Sequence, residues 1–263
     1  MSTISSFRVR AFGCTIDFAA ENDRARASLD QFVFPQLLRE NAGDSAADLT
    51  LRMEPREERF RLWVNGQPVA EAEQPRELAD AAINAIDETV IRCMRGFHAV
   101  HAGAVSIGGR GLLLPGGTHA GKSSLVVELL RRGARYFSDE YALIDAAGRV
   151  HAYPRPLLMR NGSRKQFPML PEECDSRVAS SSAPVGWILF VEYRPEATWG
   201  VREISQSEAV LSLLKNTPHA LAEAPEMVGS FERAVCGAVC MAGERGQAAD
   251  SASEILRLVE TSL

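Results

Sequence analysis

Apolar positions change their spacing along the chain, and the changes predict its elements. In the opening stretch they alternate. Phe7–Phe12 and Cys14–Phe18 read as short strands around a turn at Gly13. Leu49–Met53 and Phe60–Val64 read as a hairpin, with a following turn at Asn65-Gly66. Between Glu77 and Arg95 the spacing becomes helical. Leu78, Ala82, Ile86, Val90 and Cys93 form one stripe, which predicts an amphipathic helix.

The pattern shifts again near Phe97. Val100–Ile107 and Leu112–Leu114 are apolar runs joined by Gly108-Gly109-Arg110, and both predict strands. A glycine-rich turn and a helix over Lys122–Arg132 follow. Tyr136–Phe137, Tyr141–Ile144 and Val150–Tyr153 predict short strands around Ser138-Asp139-Glu140 and a turn at Asp145–Gly148. Arg155–Ser182 is polar and contains several prolines, so it reads as irregular structure forming a mobile loop. Trp187–Tyr193 predicts a buried strand. Ser207–Leu214 predicts a helix capped near Ser205 or Gln206. Phe231–Met241 and Ala252–Val259 predict later helices around a polar break at Gly243–Asp250. No internal repeat is visible. The expected fold is α/β with α+β elements: a small α+β domain over residues 1–96 and a larger α/β domain over 97–263.

Composition narrows the class. With 263 residues, 46% hydrophobic and 24% charged, the chain can bury a core. Its 34 acidic and 29 basic side chains give a net charge of -5, which argues against a generic binder of nucleic acid or membrane. No run reaches the roughly 20 apolar residues of a membrane span. The start carries no apolar segment with a cleavage site, so the expectation is a cytoplasmic protein without integral membrane association. Five cysteines occur, Cys14, Cys93, Cys174, Cys236 and Cys240. The odd count and the absence of paired CxxC spacing predict reduced thiols. Cys236 and Cys240 read as core side chains sharing a helix face.

The strongest chemical signal is Gly116-Gly117-Thr118-His119-Ala120-Gly121-Lys122-Ser123, which matches G-x-x-x-x-G-K-[ST]. An apolar run precedes it and a helical pattern follows, as a phosphate cradle requires. Gly116 and Gly121 permit close backbone approach. Successive amides and the start of the helix can surround phosphate oxygens. Lys122 can reach the β and γ phosphates, Ser123 can coordinate Mg2+, and Ser124 can cap or line the pocket. The motif does not choose between ATP and GTP, or between hydrolysis and transfer. Asp139 and Glu140 follow Lys122 by seventeen and eighteen residues. A short strand could return them beside the loop, one to accept a hydroxyl proton and the other to hold Mg2+. His101 could reach a phosphate or polarise an acidic partner. Arg155, Arg160, Arg164 and Lys165 form a basic set that could clamp a phosphoryl group or an acidic acceptor. His98 reads as structural or exposed, and His151 and His219 lack metal-ligand spacing.

His101-Ala102-Gly103, Gly116–Ser123 and Ser138-Asp139-Glu140 together resemble the C-terminal domain of HPr kinase/phosphorylase, and more closely its divergent bacterial relatives. The resembling core spans roughly Val100–Val150, about one fifth of the chain, with weaker similarity toward Val259. The resemblance implies a P-loop core related to phosphoenolpyruvate carboxykinase, with ATP and Mg2+ as cofactors. It places His101 at the active site and matches Lys122 and Ser123 to the family's phosphate-loop lysine and hydroxyl. It implies that Asp139 is the base toward an acceptor serine and that Glu140 serves Mg2+. The family's Gly-Lys-Ser-Glu becomes Gly121-Lys122-Ser123-Ser124, and its Asp-Asp pair becomes Asp139-Glu140. Its later Glu-Val-Arg-Gly signature has no convincing copy, which turns the expected acceptor away from HPr itself. Divergent relatives occur beside machinery that modifies ribosomal peptides, so the resemblance implies a peptide or small hydroxylated substrate. The family's hexamers leave a homo-oligomer open. The expected activity is an ATP-dependent kinase. The alternative is a P-loop NTPase or a nucleotide-controlled regulatory or assembly protein without kinase activity.

Overall fold

The computed structural model describes residues 5–32, 38–40, 46–117, 120–160, 166–218 and 224–262. The first elements are β1 (Ser5–Ala11), β2 (Cys14–Ala20), α1 (Asp23–Phe32), β3 (Leu38–Glu40), β4 (Leu49–Arg56), β5 (Arg59–Val64), β6 (Gln67–Ala72) and α2 (Ala79–Cys93). Next come β7 (Phe97–Ile107), β8 (Arg110–Pro115), α3 (Lys122–Arg131), β9 (Arg135–Ser138), β10 (Tyr141–Asp145), β11 (Arg149–His151), β12 (Leu157–Arg160) and β13 (Gln166–Met169). The chain ends with β14 (Ala183–Tyr193), β15 (Gly200–Glu203), α4 (Gln206–Lys215), α5 (Ala224–Val235), β16 (Val239–Arg245) and α6 (Ala248–Thr261). Two compact units result. One holds Met1–Arg95 with Arg155–Met169, the other Gly96–Pro154 with Leu170–Leu263.

The first unit is an α+β layer pair. Its six-stranded sheet has the order β3-β1-β2-β4-β5-β6. Strand periodicity sends Ile16, Phe18, Leu51 and Met53 to one face, where α1 and α2 cover them with Leu29, Phe32, Ile83, Ile86 and Val90. The other face carries polar pairs. Arg8 and Asp17 form a salt bridge at 2.6 Å, and Arg52 lies over the Trp63 ring at 4.6 Å. The stretch expected to be irregular, Arg155–Ser182, is partly regular. It contains the antiparallel hairpin of β12 and β13 and a 3-10 turn at Pro171–Cys174. Four-residue strands carry too few alternating positions to announce themselves against a polar background.

The second unit is a sheet covered on both faces. The strand order is β11-β10-β7-β8-β14-β16-β15, with β9 alongside β7. β8, β14 and β16 run parallel to one another and the outer strands run antiparallel. Alternation along β7 divides its two faces. Val100, Ala102 and Ala104 join a core with Ala209 and Leu213 of α4 and Phe231 of α5. Gly103 points the other way, toward Val126 of α3, which packs beside α6. A Cβ at Gly103 would come within 2.8 Å of Val126 Cγ2, so this glycine sets how closely α3 approaches the sheet.

One expected element is replaced. The helix predicted over Phe231–Met241 ends at Val235, and Val239–Arg245 is a strand on the outer side of the parallel set, between β14 and β15. Cys236 and Cys240 therefore do not share a helix face. Gly237, with φ of 80°, makes the reversal between helix and strand. Among the described residues, no helix is long and apolar enough to cross a membrane.

Candidate functional site

The site is assembled at the carboxyl ends of the parallel strands, where open α/β sheets place their ligand crevices. β8 ends at Pro115, and the loop beginning at Gly116 leads into α3. Gly121 is the N-cap of that helix and sits in the left-handed region at φ of 73°. No side chain caps the helix there. The first amides of α3 thus point out of its end with no intrahelical acceptor, which makes an electropositive, donor-rich terminus. Thr118 and His119 lie outside the described residues.

Strand register explains how residues far apart in sequence meet here. β7 pairs with β8 on one side so that Ala102 faces Pro115, and the Gly116 amide donates to the His101 carbonyl at 3.2 Å. On its other side β7 pairs first with β10 and then with β9. The chain passes from β9 to β10 through Ser138-Asp139-Glu140, and the Ala102 amide donates to the Glu140 carbonyl at 2.9 Å. The Ser138 hydroxyl accepts from the amides of Glu140 and Tyr141 at 3.2 and 3.0 Å, which shapes this turn. The middle of β7 therefore separates the glycine loop from the acidic turn by a single strand width.

Two polar groups form across that strand. In the first, Ser123 Oγ donates to Asp139 Oδ2 at 2.9 Å, and the Tyr136 hydroxyl donates to Asp139 Oδ1 at 3.1 Å. Asp139 is only 1% exposed. In the second, Lys122 Nζ donates to the carbonyls of Gly116 and Gly117 at 2.9 and 3.0 Å and lies 3.2 Å from His101 Nε2. The same nitrogen of His101 is 2.7 Å from Glu140 Oε1. A ring nitrogen offers either one proton or one lone pair in its plane, so it cannot satisfy both neighbours. The carboxylate is the nearer and needs a donor, while the ammonium already has two carbonyl acceptors. This assigns the Nε2 proton of His101 to the bond with Glu140.

A third contribution comes from β16. Arg245, 2% exposed, donates through Nη2 to the carbonyls of Ala120 and Gly121 at 3.1 and 2.9 Å, and through Nη1 to Gly246 at 3.0 Å. Its guanidinium lies 5.2 Å from the centre of the Tyr193 ring. Its Nε is buried without a hydrogen-bond partner among the described residues. Burial pulls the Arg245 guanidinium below its usual value, with Tyr193 opposing. A Cβ on Gly121 would come within 2.5 Å of Arg245 Nη2, so a side chain there would meet the guanidinium as well as an unfavourable backbone conformation.

Of the residues expected from sequence, Gly116, Gly117, Ala120, Gly121, Lys122, Ser123, His101, Asp139 and Glu140 come together in the second unit. Ser124 is exposed on α3. Arg155 and Arg160 belong to the first unit, where Arg155 is 3% exposed with its guanidinium on Asp87 and Arg160 is exposed at the end of β12. Arg164, Lys165 and His219 lie outside the described residues. His98 meets the Phe231 ring edge-on, and His151 pairs with Asp145 at 2.7 Å. Two residues of the cluster gave no signal of their own in the sequence. Tyr136 lies in a predicted strand with no chemistry assigned to it, and Arg245 lies inside a segment read as a polar break.

No model of a known protein family matches the chain, and no curated protein matches it. Among solved structures, the Hpr(Ser) kinase/phosphatase from Coxiella burnetii is similar at 14% identity, over 62% of this chain and 98% of that chain, with a TM-score of 0.31. The chain has a mixed α/β fold with a distant structural likeness to that protein.

Proposed function

We propose that the second unit binds a nucleoside triphosphate, ATP in the first instance, at Gly116–Ser123 and passes its terminal phosphoryl group to a hydroxyl of a peptide or small molecule. The observation that carries this reading is the convergence of Lys122, Ser123, His101, Asp139 and Glu140 at the end of β8. A turn that only reverses the chain has no use for such a set, because each desolvated polar group costs free energy unless it is met by a partner.

The geometry supports a definite division of labour. Ser123 Oγ and Asp139 offer the hard oxygen donors that suit Mg2+, and they are already in contact. These two residues would hold the ion, which when bound neutralises charge on the β and γ oxygens. Lys122 supplies a cation at the loop, and the first amides of α3 supply fixed donors for anionic oxygens. Glu140 accepts the proton of the acceptor hydroxyl while that oxygen bonds to the γ phosphorus. The bond from the γ phosphorus to the bridging oxygen then breaks, and ADP leaves with the electron pair. His101 orients Glu140 through their 2.7 Å contact. This reverses the sequence expectation for the two acids. Both Asp139 oxygens are engaged in a 1% exposed position, whereas the Glu140 side chain is 29% exposed. Arg155 and Arg160 are left out of the machinery.

The test is transfer of labelled γ phosphate from ATP to serine peptides and hydroxylated metabolites. The expected result is acceptor-dependent ADP and a mapped phosphoester. Lys122→Ala should abolish measurable triphosphate binding. Glu140→Gln should lower transfer by about 10²-fold or more with binding retained. Asp139→Asn should raise the Mg2+ concentration needed for binding. Hydrolysis without any phosphorylated acceptor would replace the kinase reading with an NTPase. The opposite behaviour of the two acid variants would restore Asp139 as the base.

A further inference from the structure

We propose a binding site for a thiophilic divalent cation, zinc in the first instance, formed in the first unit by Cys14, Cys93 and Asp48. The three residues come from different elements. Cys14 opens β2 after the tight turn at Phe12-Gly13, Cys93 closes α2, and Asp48 immediately precedes β4. Their ligand atoms all lie within 4.8 Å of one another. Zinc–sulfur bonds of about 2.3 Å in a tetrahedron require a sulfur–sulfur separation of roughly 3.8 Å, so small side-chain rotations close the site.

The surroundings fit a cation. Asp48 is held in place by two backbone bonds to Thr15. Its carboxylate accepts from the Thr15 amide at 2.8 Å, and its own amide donates to the Thr15 carbonyl at 2.8 Å. The Cys14 thiol points at the carboxyl end of α2, where it donates to the Thr89 carbonyl at 3.5 Å. That end carries the negative pole of the helix. Two sulfur donors and a carboxylate are thus gathered in one place beside the negative end of a helix, an arrangement that suits a cation. Cys14 is buried, Cys93 half-buried and Asp48 exposed, so one side stays open for entry and for a water as fourth ligand. Two thiolates with one carboxylate select zinc over magnesium or calcium. Binding releases the two thiol protons to solvent as the two sulfur–metal bonds form.

The test is a cobalt(II) titration of the full chain kept reduced by a phosphine. The expected result is one Co2+ per chain with thiolate-to-cobalt charge-transfer absorption, displaced by Zn2+, and a thermal midpoint raised by Zn2+ and lowered again by a chelator. Cys93→Ser should lose the absorption, and Asp48→Asn should weaken uptake by roughly tenfold or more. Circular dichroism checks that these variants fold; they are placed at the less buried Cys93 and Asp48 because Cys14 is buried. Cys236→Ser, a change at an exposed thiol, should leave the titration intact. Absence of the absorption in the reduced chain would overturn the proposal. So would its persistence in Cys93→Ser.

Discussion

A carboxylate at 1% exposure is tolerated only when its lone pairs are met, and Asp139 shows how one residue ties a cluster together. Ser123 reaches it from the start of α3 and Tyr136 from β9. Removing the phenol alone tests the arrangement. Tyr136→Phe keeps the ring and deletes the 3.1 Å bond to Oδ1. It should destabilise the fold by about 1–3 kcal/mol, the cost of a missing bond to a buried polar group. Denaturant unfolding measures it, and an unchanged midpoint would remove Tyr136 from the account. Lys122, Ser123 and the two acids were legible from sequence because their spacing follows a pattern with a physical purpose. Tyr136 was not, because a phenol three residues before an aspartate has no meaning until the turn after β9 folds the two together. Arg245 was hidden for a related reason. Its loop contacts span more than 120 residues of chain.

Elements formed where the apolar signal was one-sided. The stripe through Leu78, Ala82, Ile86 and Val90 became α2, and β4 and β5 formed on the expected hairpin. The signal failed where it was weak or double. α1 buries Ala25, Leu29 and Phe32 at helical spacing, but its charged residues mask so short a stripe. β6 is an edge strand that buries only Ala72, so it shows no alternation. Around Cys236–Met241 the apolar positions suited both periods, and only the reversal at Gly237 separates helix from strand. Close approach between elements can itself be tested. Gly103→Ala places a methyl 2.8 Å from Val126 Cγ2 in the contact of β7 with α3. An overpacking cost of about 1–3 kcal/mol is expected, together with weaker binding of the proposed triphosphate, because α3 carries Lys122 and Ser123. Calorimetry on the variant reads both effects. Full stability with full binding would show that the two elements separate freely.

At the scale of the whole chain, acid stability follows from carboxylates that are better stabilised folded than unfolded. Asp145 is the clearest case. Burial alone would raise its value, but His151 and the amides of Arg149 and Ala147 outweigh burial and hold the carboxyl below its usual range. Glu128 is lowered as well, first by its bond from Arg132, against burial, and also by Arg131. A depressed carboxyl contributes its stability above the unfolded value, about 3.9 for aspartate, and loses it as pH falls through the lower folded value. The unfolding midpoint should therefore drop as the pH is taken from about 5 to about 3. Asp145→Asn should make that drop shallower, and a series of thermal melts across the range checks it. An identical slope in the variant would mean that Asp145 titrates alike in both states.

The grip of Arg245 on the glycine loop has a consequence in entropy. A peptide unit is planar and trans, so a carbonyl and the following N–H point in opposite directions. By fixing the carbonyls of Ala120 and Gly121, Arg245 also aims the amides of Gly121 and Lys122 away from itself. The donors at the head of α3 are thus aligned before any anion arrives, and the ordering cost is met during folding instead of during association. A side chain that need touch no ligand would set how much of the loop's intrinsic affinity is realised.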